Sequence, residues 1–290
     1  MPDPTLSQMD ARTRAAWNGS SGQSWLDHQA RFDAMLKAYR DAVLAAAAPT
    51  AGERAIDIGC GTGDTTISLA KQLGEGAHIL GIDISEILLG RARERAKSEG
   101  LAIDFALGDA GNHPFDSRAS DLLVSRLGVM FFANPVAAFT HMRRALSAKG
   151  RLAMVTWRSV RENDGACLPL EAARAFVKPL PQPDPEAPGP FSFGDRDRVN
   201  RILREAGYEN ISIEPFDAPL LFGIGATPDA QLDDAVANSF HIGPLSRLLA
   251  DEPGDVRTAV CGALRKAYET RLTPEGVVLS GCAWILTATA

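Results

Sequence analysis

The sequence predicts an α/β protein with a mostly parallel seven-stranded sheet and helices on both faces. Short apolar runs of strand type alternate with longer runs that have helical spacing. The first strand leads through a glycine-rich turn directly into a helix. Such alternation is typical of parallel sheets, whose strands need helical crossovers. The expected strands cover residues 55–58, 78–85, 102–110, 120–126, 150–157, 211–213 and 278–288.

An extension of about fifty residues precedes the first strand. Residues 1–23 are polar. From Ser24 onward, apolar side chains fall on one face of a predicted helix, which Pro49 ends. Trp17 and Trp25 stand near its beginning, and packing of this helix onto the core would explain both.

The turn after the first strand is the most informative stretch. Asp57 lies inside the end of the strand, two residues before Gly59, and Gly61 and Gly63 follow at alternate positions. A strand, a glycine turn and a helix bring bare backbone close to the polar part of a ligand. The dinucleotide fingerprint would require a glycine where this chain has Asp64. Carboxylates around the turn favour a cationic ligand over a pyrophosphate, and a turn without any ligand is the alternative.

The motif Asp-x-Gly-x-Gly-x-Gly is similar to motif I of the class I S-adenosylmethionine (SAM) methyltransferases. SAM carries a sulfonium and an ammonium group, which agrees with the charges around the turn. The resemblance covers residues 50–222 and 277–290 and implies a Rossmann-like, SAM-binding core. It leaves residues 1–49 as an N-terminal lid and residues 223–276 as a helical cap insertion.

The resemblance also implies cofactor contacts. Asp83, at the end of the second strand, can accept both ribose hydroxyls, as in dinucleotide sites. Asp109 matches the family's acidic residue for the adenine amino group, with Ile84 and Ala110 flanking the ring. Arg126 could contact the methionine carboxylate, or only the backbone there matters. The expected cofactor residues are Asp57, Gly59, Cys60, Gly61, Gly63, Asp83, Ile84, Asp109, Ala110, Ser125 and Arg126.

The second half of the chain departs from the simple alternation. Residues 159–193 are predicted to form a stiff connection without regular structure. The prolines behind this prediction are Pro179, Pro181, Pro183, Pro185, Pro188 and Pro190. Helical patterns are expected at residues 195–206, 229–240, 244–250 and 255–272.

Composition limits the possible partners. The chain has 290 residues and a net charge of −6, which argues against a broad nucleic-acid interface. Basic residues over 91–97 alternate with glutamates and indicate a solvated helix face. Four cysteines form no C-x-x-C pair, so we expect no metal. Without a secretory signal or a bilayer-spanning run, we expect a cytoplasmic monomer or homodimer that binds no membrane.

The acceptor side is less legible. Aromatic and apolar residues could line an acceptor pocket or be ordinary core: Trp17, Trp25, Met130, Phe131 and Phe240. Candidate bases are His241, in the insertion, and His28, on the N-terminal helix, although a lone histidine is often structural. Methyl transfer mainly requires alignment and exclusion of water, so a base is optional.

The sequence therefore predicts SAM-dependent methyl transfer to O, N or S of a small molecule. Residues 125–128 lack the Asn/Asp-Pro-Pro-aromatic tetrapeptide of family members that methylate amide or adenine nitrogen. No cysteine follows a proline, as it does in members that methylate cytosine or uracil carbon. Two alternatives are an NAD(P)-dependent oxidoreductase and a SAM-binding protein without catalysis.

Overall fold

The structure is a computed structural model that describes residues 4–178, 184, 186–243, 245–249 and 252–290. The strands are β1 (Arg54–Ile58), β2 (His78–Asp83), β3 (Asp104–Leu107), β4 (Ser120–Arg126), β5 (Leu146–Trp157), β6 (Glu209–Gly223), β7 (Leu272–Thr273) and β8 (Gly276–Thr289). The helices are α1 (Pro4–Asn18), α2 (Ser20–Asp27), α3 (Gln29–Met35), α4 (Lys37–Ala47), α5 (Asp64–Leu73), α6 (Glu86–Ser98), α7 (Pro135–Arg143), α8 (Asp164–Ala173), α9 (Arg196–Glu205), α10 (Pro228–His241), α11 (Leu245–Leu248) and α12 (Gly254–Glu269).

Within the described residues, the strands form one eight-stranded sheet in the order β3-β2-β1-β4-β5-β8-β6, with the short β7 paired to β8. Strands β1 to β5 are parallel, and β8 is antiparallel to both β5 and β6. Leu122, Leu123 and Val124 of the central β4 are fully buried, as expected for a parallel strand covered on both faces. The predicted α/β class and mostly parallel sheet are confirmed.

Apolar cores lie on both faces of the sheet. One contains Tyr39 of α4 with side chains of α5, α10 and α12, and the other contains Phe139 of α7 with side chains of α9. Tyr39 is fully buried, and its hydroxyl donates to Ala218 O at 2.9 Å. This bond ties the N-terminal helices to β6.

Strands β6 and β8 extend past the rest of the sheet. Pairing between β5 and β8 stops at Trp157 and Ala283, whereas β6 and β8 remain paired as far as Gly223 and Val277. The extra length projects beyond the carboxyl end of β5, because β8 runs antiparallel to β5. Helices α10, α11 and α12 connect these projecting ends, so they stand beside the edge where parallel sheets bind ligands.

The N-terminal segment, which we define as helices α1 to α4, differs from the prediction. Residues 4–18 are helical, although the sequence predicted structure only from Ser24. The single predicted helix is divided into three, because His28 and Leu36 have φ of −111° and −97° with ψ near zero. These breaks let the segment bend around the sheet, which one straight helix could not do.

Residues 159–193 contain regular structure that the sequence did not indicate. Helix α8 places Ala166, Pro169 and Ala173 on its buried face, a spacing that the neighbouring prolines obscured. Pro179, Pro181, Pro183 and Pro185 lie outside the described residues, as does Pro244 in the predicted helix over 244–250.

Strand β5 begins at Leu146, four residues before the predicted start, and helix α7 ends before it, at Arg143. In the part of the chain that is described, no helix is long and apolar enough to cross a membrane.

Candidate functional site

The glycine loop, residues 59–63, joins β1 to α5. All three of its glycines have positive φ, between 54° and 83°, a conformation that favours glycine. The N–H groups of Gly59 and Cys60 both donate to Ile82 O, at 2.9 and 3.1 Å. A Cβ on Gly61 would meet no described atom within 4 Å. The loop is therefore held against the end of β2 and presents bare backbone on an open side.

Asp83 lies at the end of β2, beside the glycine loop. Its Oδ2 accepts from Gly61 N at 2.8 Å and its Oδ1 from Ser85 N at 2.9 Å. Burial raises the pKa of this carboxyl above its usual value, and the backbone donors oppose that rise. An ionised carboxylate has about four acceptor positions, so Asp83 can still accept two hydroxyl groups.

The other residues predicted for the adenosine end lie close by. Gly108 N donates to Asp83 O at 2.9 Å, which places Asp109 next to the end of β2. Asp109 Oδ1 accepts from the backbone N–H two residues on, at 2.8 Å, and so forms an Asx turn. Ala110 is buried in the core and Ile84 is half-buried. These residues meet at the carboxyl ends of β2 and β3.

The turn after β4 packs directly on the glycine loop. Ser125 Oγ donates to Ile58 O at 2.7 Å and accepts from Gly128 N at 3.3 Å. A Cβ on Gly128 would lie 2.5 Å from Ile58 O, so the two backbones approach as closely as glycine permits. Leu127 has φ of 62°, which is strained for a branched side chain. The Ser125 hydroxyl therefore serves to hold the two turns together.

Six charged side chains surround the start of α5, and we call them the charged cluster. Asp64, the first residue of α5, accepts from Arg40 Nη1 at 2.9 Å. Arg126 Nη2 and Arg95 Nη2 lie 3.8 and 3.9 Å from the same carboxylate. With three aspartates and three arginines, the cluster is neutral when all its members are ionised. Its members are Asp33, Arg40, Asp57, Asp64, Arg95 and Arg126.

Arg95 connects the N-terminal segment to the glycine loop. Its Nη2 lies 2.9 Å from Asp33 Oδ2, and its Nη1 donates to Thr62 O at 2.8 Å. The expectation that the basic residues of α6 face solvent is wrong for this arginine, whose side chain is 22% exposed. Ala92 and Ala96 are buried on α6, and Arg95 lies on that side of the helix; this spacing was the available signal.

Asp57 is the most deeply buried acid of the cluster, at 1% exposure. Burial raises its pKa to about 7, although Thr66 Oγ1 donates to its Oδ2 at 2.6 Å and Arg126 is near. Among the described residues, its Oδ1 has no hydrogen-bond partner, and neither do Asp33 Oδ1, Asp64 Oδ2 and Arg126 Nη1. Buried polar atoms are nearly always paired, so the cluster suits a further group that both donates and accepts.

The N-terminal segment crosses the end of β2. Ser85 Oγ donates to Trp17 O at 2.6 Å, and Asn18 Nδ2 donates to Ile84 O at 2.9 Å. Glu86 N in turn donates to Asn18 Oδ1 at 3.0 Å. These bonds fix the junction of α1 and α2 beside the residues predicted for the adenosine end.

Three of the five predicted pocket residues meet beyond β4. The Trp17 ring is edge-on to Phe131 (centroids 5.7 Å apart) and to Trp25 (6.0 Å). Met130 is 2% exposed and belongs to the core. Phe240, on α10, packs against the guanidinium of Arg257, whose Cζ lies 5.3 Å from the ring centroid. The aromatic contact therefore forms between the N-terminal segment and the turn after β4.

The two candidate bases, His28 and His241, are in contact. Their rings are stacked, with centroids 3.9 Å apart and planes 27° apart. His28 Nδ1 lies 2.9 Å from Ser24 O and carries the proton, since a carbonyl only accepts. Ser24 Oγ donates to His241 O at 2.9 Å. Burial, with the charges of His28 and Arg31, lowers the pKa of His241.

Residues 49–207 match the family described as "Methyltransferase domain". Among curated proteins, the chain is similar to the demethylmenaquinone methyltransferase of Staphylococcus carnosus, with 26% identity over 194 residues, 62% of this chain and 78% of that protein. It is also similar to an uncharacterized 37.1 kDa protein in transposon TN4556 of Streptomyces fradiae, with 34% identity over 132 residues, 45% of this chain and 37% of that protein.

Solved structures share the fold. YcgJ of Bacillus subtilis aligns with a TM-score of 0.57 at 16% identity, covering 86% of this chain and 97% of that chain. Phosphoethanolamine N-methyltransferase 2 of Haemonchus contortus, in complex with SAM, aligns with a TM-score of 0.52 at 17% identity, covering 87% and 52%. The [4+2]-cyclase SpnF also aligns with 0.52, at 20% identity, covering 87% and 79%. The names of the last two show that this fold hosts more than one reaction.

Proposed function

The chain belongs to the methyltransferase-domain family and is a SAM-dependent methyltransferase of a small molecule, and from this premise we propose how its residues divide the cofactor among themselves. Asp109, Ile84 and Ala110 face the adenine, and Asp83 accepts the ribose hydroxyls. The glycine loop and the charged cluster hold the amino-acid end. A nicotinamide-dependent oxidoreductase, the main alternative from sequence, does not fit this family.

The observation that carries the proposal is the set of buried, unpaired polar atoms found in the described part of the charged cluster. Asp57 Oδ1 and Asp64 Oδ2 are acceptors and suit the cofactor's ammonium group. Arg126 Nη1 is a donor and suits its carboxylate. A pyrophosphate would instead place negative charge beside two aspartates, which is unfavourable. The residues present therefore fit the amino-acid end of SAM.

The glycine loop contributes backbone. Gly61 lets the chain approach the cofactor without a side chain in between. Gly59 and Gly63 instead let the loop pack closely, since a Cβ on them would meet Gly128 and Ala92. Cys60 contributes through packing: its thiol is buried, and its N–H and C=O already bond to Ile82 and Gly63. When bound, SAM supplies a methyl group activated by a sulfonium, so the protein's task is to orient the acceptor and exclude water.

We propose that residues 1–49 act as a lid and residues 223–276 as a cap over the core formed by residues 50–222 and 277–290. The lid is supported by the bonds of Trp17 and Asn18 at the end of β2. The cap is supported by the bidentate pair between Arg31 and Asp234, at 2.8 and 2.7 Å, which joins α3 to α10. Deletion of residues 1–23 should lower turnover strongly and change the melting temperature only slightly.

The acceptor that the site favours is a small molecule with an apolar ring. Trp17, Trp25 and Phe131 are half-buried and in contact, and aromatic side chains bind flat rings well. The staphylococcal relatives are named for demethylmenaquinone, a quinone. We further propose that the enzyme acts in the cytoplasm, on a free substrate with a reactive O, N or S, as a monomer or homodimer.

His28 and His241 remain the candidate bases. The lowered pKa favours the neutral form of His241 at pH 7. When Nδ1 of His28 donates to Ser24 O, its Nε2 is the ring atom that can accept a proton. A neutral imidazole can accept a proton from an acidic acceptor group. Replacement of either histidine by Gln should lower kcat and leave cofactor affinity unchanged. If both variants keep the kcat of the wild type, neither histidine is the catalytic base.

The first experiment is the shift in melting temperature with SAM, S-adenosylhomocysteine (SAH), NAD and NADP. A ligand that binds only the folded state adds about 2.7 kcal/mol of stability at a hundredfold its Kd. We expect shifts with SAM and SAH alone. Asp83→Ala should reduce both shifts, whereas Asp104→Ala, at the exposed start of β3, should not. An unchanged shift in Asp83→Ala would contradict the proposed pose.

The acceptor is then found by SAH release over a panel of phenols, hydroquinones, aryl amines and thiols. Trp17→Phe should raise KM for a ring acceptor with little change in the Kd of SAH. Turnover that favours aliphatic amines over every aromatic compound would reject the proposed substrate class.

A further inference from the structure

We propose that Asp33 and Arg40, two residues of the N-terminal segment, are positioning residues of the cofactor site. They orient the groups that meet the amino-acid end of the cofactor, and they leave its adenosine end unaffected. The proposal rests on the cofactor pose proposed above. It makes the N-terminal segment a part of the cofactor site in addition to a cover.

Arg40 sets the position of the Asp64 carboxylate. Its guanidinium bonds to Asp64 Oδ1 at 2.9 Å and is itself held by Asp41 Oδ1 at 2.8 Å. The Asp64 side chain is only 6% exposed, so it cannot turn freely to water. With Oδ1 engaged, Oδ2 faces Arg126 Nη2 at 3.8 Å. This is near enough to orient the guanidinium and leaves room for a ligand group.

Asp33 acts on the glycine loop through Arg95. Its Oδ2 lies 2.9 Å from Arg95 Nη2, and Arg95 Nη1 reaches Thr62 O. Gln29 also donates to Asp33. Burial and the neighbouring Asp64 raise the pKa of Asp33, so its ionised form depends on Arg95. Removal of the Asp33 charge would free Arg95 to move toward Asp64, the nearest remaining carboxylate.

Charge balance explains why each member matters. The cluster is largely buried, and an unpaired charge in such a place is costly. Loss of Arg40 would leave Asp64 with arginines no nearer than 3.8 Å among the residues described. Asp64 would then pair with Arg126 and withdraw it from the cofactor's carboxylate. The effect stays local, because Asp83 and Asp109 are also held by the backbone N–H groups of Ser85 and Gly111, which lie outside the glycine loop.

The test compares two ligands by calorimetry on the full chain. SAH has the amino-acid end, and 5′-methylthioadenosine has the same nucleoside without it. In Arg40→Gln and Asp33→Asn we expect the Kd of SAH to rise about tenfold or more, with the Kd of 5′-methylthioadenosine within twofold of the wild type. Arg40→Lys keeps the charge and should recover part of the loss.

Two control variants separate positioning from loosening of the segment. Arg31→Gln breaks the pair that joins α3 to α10, and Arg91→Gln removes an exposed arginine from α6. Both should leave the ratio of the two Kd values unchanged. Equal losses for both ligands in Arg40→Gln, or an unchanged Kd for SAH, would overturn the positioning role. A wild-type chain that binds neither ligand would instead overturn the proposed function.

Discussion

Asp57 should make cofactor binding depend on pH. Its carboxyl is buried, with a pKa raised from 3.8 to about 7, and its Oδ1 is the acceptor proposed for the cofactor's ammonium. A protonated Asp57 would bind that group poorly. The binding-competent form is therefore the ionised one, and cofactor binding should lower the pKa and release a proton.

The size of the effect follows from the fraction ionised. With a pKa of about 7, roughly nine-tenths of the molecules are ionised at pH 8 and roughly one-tenth at pH 6. Apparent affinity scales with the fraction of molecules in the binding-competent, ionised form. The Kd of SAH should therefore rise about tenfold when the pH falls from 8 to 6. Asp57→Asn resembles the protonated acid in shape. It should match the wild type at pH 5.5 and bind more weakly at pH 7.5.

The same shift acts on stability with a definite sign. The folded protein keeps the Asp57 proton up to about pH 7, whereas the unfolded chain loses it near 3.8. This stabilising contribution is complete below pH 4 and is lost as pH rises through 7. The loss is on the order of 4 kcal/mol at most. Asp57→Asn should therefore remove part of the decline in unfolding free energy between pH 4 and 8.

The assay is titration calorimetry of SAH between pH 5.5 and 8 in two buffers of different ionisation enthalpy. The wild type should release close to one proton per SAH at pH 6, and Asp57→Asn distinctly less. Because Asp33 and Asp83 also have raised pKa values, the difference between the two proteins isolates Asp57. An SAH affinity that falls with pH, or an equal proton release in both proteins, would refute the reasoning.

Two further predictions concern packing, and a third concerns acceptor binding. Gly128→Ala should lower the free energy of unfolding, measured in urea, by about 1–3 kcal/mol, because the new Cβ would lie 2.5 Å from Ile58 O. Gly90→Ala on α6 is the control: its Cβ would meet no described atom within 4 Å, so it should be neutral or stabilising. Tyr39→Phe should cost about 1 kcal/mol in the same assay, since its buried hydroxyl loses its carbonyl partner; a neutral result would mean that water replaces the bond. Phe131→Ala should raise KM for the acceptor several-fold with little change in the Kd of SAH, and an unchanged KM would place the acceptor elsewhere.

The fold could be predicted from the sequence where the local residue pattern and the tertiary structure agree. Residues 120–126 were predicted as a strand with the same bounds as β4. An unbroken apolar run between polar residues is typical of a parallel strand that is buried on both faces of the sheet. The breaks at His28 and Leu36 were not legible. Helical spacing continues through both residues, and the breaks show only in the backbone angles of the folded chain.

The site was legible to the same extent. The spacing of Asp57, the glycines and Asp83 is fixed by consecutive elements, so the sequence displays it. Arg40 and Asp64 are 24 positions apart, and Asp33 and Arg95 are further apart still. No local pattern links such pairs, since charged residues on helices usually face water. The charged cluster therefore became apparent only in three dimensions.

The N-terminal segment contacts both α10 and the start of α5. Arg31 and Arg40 are nine positions apart and point to different partners, Asp234 on α10 and Asp64 at the glycine loop. Because one segment contacts both, we propose that its docking couples order at the glycine loop to order at the proposed cap. Substitutions near α10 can then alter acceptor choice while the loop geometry persists, since Ser125 and Gly128 hold that loop independently. Arg31→Gln should accordingly raise the KM for acceptor more than the Kd of SAH.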